Sequence, residues 1–147
     1  MPSRLCGKYL LMDFTIINPA TLGRPRGYAN GVLAPTGGAL LFIAGQIAWD
    51  EEQRIVGADF VAQFERALLN VLAVVSEAGG TPEQIARLCV YVTDKEEYRA
   101  RQSEIGACWR RHMGRHFPAM ALVEVKALLE DDAKVEIEGI AVLVNGK

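Results

Sequence analysis

The chain has 147 residues, of which 50% are hydrophobic and 23% charged, with 16 Lys+Arg against 18 Asp+Glu for a net charge of -2. That length and composition suit one folded domain with its own core and exclude a disordered chain. The slight acidic excess leaves no global positive field, so nucleic acid is not an expected partner.

Cys6, Cys89 and Cys108 are widely spaced, and only two histidines accompany them. Neither a disulfide framework nor a zinc site is expected, no cofactor is implied, and reduced thiols suit a cytoplasmic location. The apolar run Leu10-Leu11-Met12 is too short for a secretory core, and no segment approaches the ~20 apolar residues of a membrane span. No membrane partner is expected.

Residues 1–17 read as a lead and a first strand, and residues 18–147 as a single domain. Up to Pro35 the chain is rich in turn formers (Asn18-Pro19, Gly23, Pro25, Gly27, Asn30-Gly31), with short extended pieces at Phe14–Ile17 and Gly31–Leu33. Ala39–Ala44 is apolar throughout and bounded by glycines, which predicts a buried strand closed by Gly45-Gln46. From Asp59, the apolar residues Phe60, Phe64, Ala67, Val71 and Val75 keep helical spacing as far as Gly79-Gly80. Thr81-Pro82-Glu83-Gln84 predicts a capped helical turn leading into a strand at Arg87–Thr93. Asp94 caps a second helix carrying the stripe Tyr98, Gln102, Ile105, Cys108, Trp109 and His112. Phe117-Pro118 opens an extended run to Ala127, Glu130-Asp131-Asp132 makes a turn, and Lys134–Val144 is the last strand.

This order predicts an α+β domain with a mixed sheet and two helices on one face. In the last strand Val135, Ile137, Ala141 and Leu143 point one way, while Glu136, Glu138, Ile140, Val142 and Val144 point the other. Two helices cover one face only, so identical subunits are expected to cover the second.

Five segments resemble, in order, the signature stretches of the Rid/YjgF family: Gly27–Gly31, Phe42–Ile47, Cys89–Asp94, Phe117–Ala119 and Val135–Ala141. The resemblance runs from about Asn18 to Val144. It implies a chorismate-mutase-like fold, a homotrimer whose sheets form a central barrel, and clefts between subunits. Deaminating members hydrolyse enamines and imines there, with an arginine after the F-P-A segment clamping the substrate carboxylate; the residue here is Met120. Tyr28 and Glu136 match the family's tyrosine and water-positioning glutamate. The substrate-binding positions read Ala44, Gly45, Gln102 and Leu122. A thioether cannot replace a guanidinium fork. The resemblance therefore implies either a more apolar small-molecule substrate or a replacement charge from Arg24, Arg26 or Arg115.

The residues carry plainer readings too. Glu136 could pair with Lys126 or Lys134, Tyr28 could merely pack under its loop, and Gln102 could face solvent. Cys108 and His112 lie one helical turn apart without a motif or orienting acid near them in the sequence, so a core thiol and a surface imidazole are expected. The cationic run Arg110–His116 suits a helix C-terminus. The expected activity is an enamine/imine deaminase-type hydrolase; the alternatives are a non-catalytic trimeric binding module and, more weakly, a ribonuclease.

Overall fold

The computed structural model describes residues 14–34 and 37–144. Two short strands, β1 (Thr15–Ile17) and β2 (Gly31–Leu33), pair antiparallel ahead of the main body. The body comprises β3 (Ala39–Gln46), α1 (Phe60–Glu77), β4 (Ile85–Val92), α2 (Lys95–Ala100), α3 (Gln102–Met113), β5 (Ala119–Glu124) and β6 (Val135–Leu143). The sheet order is β3-β6-β4-β5; β6 runs antiparallel to both neighbours and β4 parallel to β5.

The helix over residues 60–77 follows its apolar spacing: Phe60, Phe64, Ala67, Leu68, Val71 and Val75 are all buried. Asp59 caps it by accepting from the Ala62 N–H at 3.0 Å, satisfying one of the donors a helix start leaves free. Gln63 is an exception in this stripe, fully buried yet polar. Its amide donates to the Gly57 and Asp132 carbonyls, both at 3.0 Å, and accepts from the Lys134 N–H at 2.8 Å. The side chain therefore ties α1 to the loops around it and leaves no buried polar group unpaired.

Three expectations change. The strand at Ala39–Ala44 is not buried on both faces within the chain: only Ile43 of β3 is buried, because the helices cover one face alone. The second predicted helix is two: Arg101 leaves helical geometry (φ -116°, ψ 19°) and separates α2 from α3. No glycine or proline marks that break. Arg101 instead binds Glu104 at 2.7 Å and reaches Asp59 at 3.0 Å, so tertiary pairing fixes the bend. The helical layer therefore holds three helices, with Tyr98 of α2 meeting Phe60 of α1 edge-on at 6.4 Å. The extended run after Pro118 is also shorter than expected, ending at Glu124 rather than Ala127.

One core lies between the helices and the sheet, where Leu88, Val90 and Val92 of β4 and Val135, Ile137, Ala141 and Leu143 of β6 meet α1 and α3. Gly139 lies where β6 crosses β4, and a Cβ there would stand 2.5 Å from the Arg87 carbonyl oxygen. The second sheet face carries Leu40 (60% exposed), Phe42 (71%) and Val123 (42%). On it the Tyr91 hydroxyl donates to Glu138, and that bond, followed by the neighbouring Cys89, holds the phenol proton well above its ordinary range.

Candidate functional site

The residues singled out in the sequence fall into two groups on opposite faces of the sheet. The first lies where β3 meets β6. Ile43 stands opposite Gly139 and Gln46 opposite Ile137, so three steps along β3 match two along β6. The extra residue makes a bulge at Ala44-Gly45, a device that bends a strand and re-aims its neighbours. Asn70 of α1 holds the following turn, donating to the Ile47 carbonyl at 2.9 Å and the Trp49 carbonyl at 3.0 Å.

The carboxylate of Glu136 fills the space that the bulge opens. It lies so close to Gly45 that a Cβ there would collide with it. Glu136 is half-buried, pairs in register with Tyr91, and has no ion pair among the described residues. Lys134, a candidate partner, is instead bound to Glu97 at 2.8 Å.

The second group is on the helix side. Met120 stands beside Leu88 and Leu122 beside Val90, so both side chains turn toward the helices and pack against the core. With Gln102 they line a pocket of about 480 Å³ between α3 and β5. Tyr28, 40% exposed, lies in an adjoining groove of about 350 Å³ with Arg24 and Arg115. Gly27, Arg115 and Phe117 belong to both. The loop carrying Tyr28 is held just after that residue: the Ala29 N–H donates to the Pro118 carbonyl at 3.1 Å, and the Asn30 N–H to the Asn18 side chain at 2.9 Å, which closes the loop from Asn18 to Asn30. Arg26 lines neither cavity.

Within one chain, then, Ala44, Gly45 and Glu136 come together, and so do Gln102, Met120, Leu122 and Arg115, with Tyr28 in the adjoining groove. The sheet itself separates the two groups, so among the described residues no crevice of a single chain holds Met120 and Glu136 together. Sequence reading also overlooked the pocket's aromatic wall, Trp109 and Phe117, whose rings stack at 6.0 Å and 4°. Its one legible sign was Gly106, a helix-weakening residue inside an otherwise regular helix. A larger depression of about 690 Å³ lies among the loops at Gly57–Ala58 and Lys126–Lys134 and contains none of these residues.

One further cluster has metal-ligand chemistry. Atoms of Glu65, Cys108 and His112 lie within 4.8 Å of one another. The Glu65 carboxylate is already engaged, by His112 Nε2 at 2.8 Å and Arg111 at 3.1 Å, and these bonds hold its pKa below the usual glutamate range. Burial pushes the Cys108 thiol up to about 11. A cation would have to break both bonds and deprotonate a buried thiol, so the geometry favours a tie between α1 and α3.

These features define a class: a small α+β domain whose helices cover one sheet face and whose polar groups are divided between the two. The comparisons with known proteins agree. Residues 23–143 match the family described as Endoribonuclease L-PSP. A 2-iminobutanoate/2-iminopropanoate deaminase from Salmonella typhimurium is 36% identical over 124 residues, 84% of this chain and 91% of the relative. Among solved structures, the Rid-family protein YyfB of Yersinia pestis superposes with a TM-score of 0.79 at 32% identity, covering 90% of this chain and 100% of that one. The YjgF gene product of Escherichia coli gives 0.63 at 35% identity, covering 84% and 91%. The chain belongs to the Rid/YjgF family. Among its described residues, no helix is long and apolar enough to cross a membrane.

Proposed function

We propose that this protein hydrolyses reactive enamines and imines, as a homotrimer whose sheets pack into a central barrel. Each cleft between neighbouring copies would join the Glu136 group of one to the Met120 pocket of the next. The observation that carries this reading is the Glu136 carboxylate: without an ion pair among the described residues, aimed into a bulge beside Gly45, on a sheet face where Leu40, Phe42 and Val123 lie uncovered. The curated deaminases at 36% identity support the reaction class.

In this scheme Glu136 accepts a proton from water as the oxygen attacks the imine carbon and delivers it to nitrogen, giving the carbinolamine; it then carries the hydroxyl proton to nitrogen as the C–N bond breaks and the carbonyl forms. An imine and water become a carbonyl compound and ammonia. Tyr28 and Gln102 orient the substrate, while Met120, Leu122 and Ala44 give the cleft an apolar lining. The buried thiols Cys89 and Cys108 suit a reducing compartment, and the cytoplasm is the proposed location.

The test is ammonia release from imines generated in situ by an amino-acid oxidase. Wild-type protein should accelerate release, and Glu136→Gln should lower the rate by about 10²- to 10⁴-fold, the usual contribution of a positioned general base. No acceleration over buffer for any imine would end the proposal. Met120→Arg should raise the rate on small 2-imino carboxylates by restoring a strand-borne clamp. The same apolar lining favours a second reading, a binding module without chemistry. It requires Glu136→Gln to bind ligand and act physiologically as the wild type does.

A further inference from the structure

The pocket between α3 and β5 is oversized for a ligand of two or three carbons. Its volume of about 480 Å³ falls within the range of roughly 300–1,000 Å³ that encloses drug-sized ligands. The walls are Phe64, Val90, Ile105, Trp109, Met120 and Leu122, and a small polar ligand would leave most of that apolar surface wet. The wall is also rigid. The Trp109 indole N–H donates to the His116 carbonyl at 3.0 Å, and its ring is stacked on Phe117.

The charged side chains lining the pocket have one sign. Arg110 and Arg115 belong to it, and no acidic residue does. The other arginines of this region are committed: Arg99 to Glu96, Arg101 to Glu104 and Asp59, and Arg111 to Glu65. Arg110 and Arg115 have no ion pair among the described residues, which leaves both guanidinium groups available to a ligand. Gly106, one turn before Arg110, supplies the room: Nη1 of Arg110 lies 3.5 Å from where a Cβ would stand.

We propose that this pocket takes a 2-imino or 2-oxo acid with a branched or aromatic side chain, its carboxylate held at the mouth by Arg115 and Arg110 and its side chain seated against Trp109, Met120 and Leu122. Relative to a clamp on β5, the ligand is reversed, with the apolar body where a strand arginine would otherwise reach. The carbon next to the carboxylate then lies at the mouth, open to a neighbouring copy. The reaction at that carbon rests on the hydrolase reading above, but the binding preference does not.

Titration calorimetry on the full chain, with phenylpyruvate, pyruvate and phenylacetone as probes, separates the contributions of size and charge. Phenylpyruvate should bind at least about tenfold tighter than either of the others, since one lacks the ring and the other the carboxylate. Arg115→Gln and Arg110→Gln, checked for native circular dichroism, should each weaken phenylpyruvate by about five- to tenfold and leave phenylacetone unchanged. The proposal is overturned by no measurable phenylpyruvate binding, by equal affinity for pyruvate or phenylacetone, or by indifference to both arginine substitutions. Ammonia release from the imines of phenylalanine and alanine then distinguishes the two readings. Tight phenylpyruvate binding without hydrolysis keeps the ligand class and removes the hydrolase. Rapid hydrolysis with no preference for the larger imine keeps the hydrolase and removes the ligand class.

Discussion

Gly45 and Gly139 both lack a side chain because something occupies the space, but what occupies it differs. At Gly45 the occupant is the Glu136 carboxylate, the movable end of a side chain. Gly45→Ala should therefore leave a folded protein whose glutamate is displaced. The expected loss is about 10²-fold in deaminase rate, the scale of a 1 Å misplacement of a reacting group. At Gly139 the occupant is the Arg87 carbonyl oxygen, which belongs to the backbone and cannot yield without disturbing the ladder between β4 and β6. Gly139→Ala should cost about 2–3 kcal/mol in urea denaturation, within the range for overpacking a filled site. If Gly45→Ala retained full activity, the contact would have no bearing on Glu136.

Between elements, the seam of α1 and α3 is held by more than apolar packing. Glu65 accepts hydrogen bonds from His112 and Arg111 across it, and those bonds depress its pKa from the reference value of 4.5. A carboxylate with a lowered folded pKa contributes stability that is complete above the unfolded value and is lost as pH falls through the folded one. The melting temperature of the wild type should therefore exceed that of Glu65→Gln at pH 7, and the gap should close as pH falls below about 4. A gap that persists unchanged in acid would show that Glu65 acts through packing rather than charge. The turn between α2 and α3 has a similar origin, because Arg101 binds Glu104 and the capping Asp59 at once.

For the whole molecule, the uncovered sheet face matters most. Leu40 and Phe42 of β3, and Val123 on the opposite edge strand β5, stand more exposed than large apolar residues of a sheet usually do, and exposure of this kind supports the interface proposed for this face. For the proposed trimer, light scattering should give a mass about three times the chain's 16.1 kDa, and Phe42→Asp should reduce it to that of one chain by placing a charge in the proposed interface. Because the proposed cleft is shared, the same substitution should abolish imine hydrolysis though Phe42 touches no reacting atom. A wild type that remains single at every concentration would remove both expectations together.

The local elements were legible because their causes are local. The stripe from Phe60 to Val75, the Asp59 and Asp94 caps, the Thr81–Gln84 turn and the two-faced strand at its end each record a period or a cap within a few residues. The ordered segments from Gly27 to Ala141 likewise sufficed to point to the family. The break at Arg101 escaped because its cause, Asp59, lies 42 residues away. The site was legible only as a set of residues: alternation along β5 put Met120 and Leu122 on one face, and alternation along β6 put Glu136 with Glu138. Which face the helices would cover, and that Glu136 would lie across the sheet from Met120, depended on how β4 joins β5 and β6. Side-chain direction follows from the period of a single strand, whereas the meeting of two strands' faces is settled by pairing between residues far apart in the chain, and only the tertiary structure decides that.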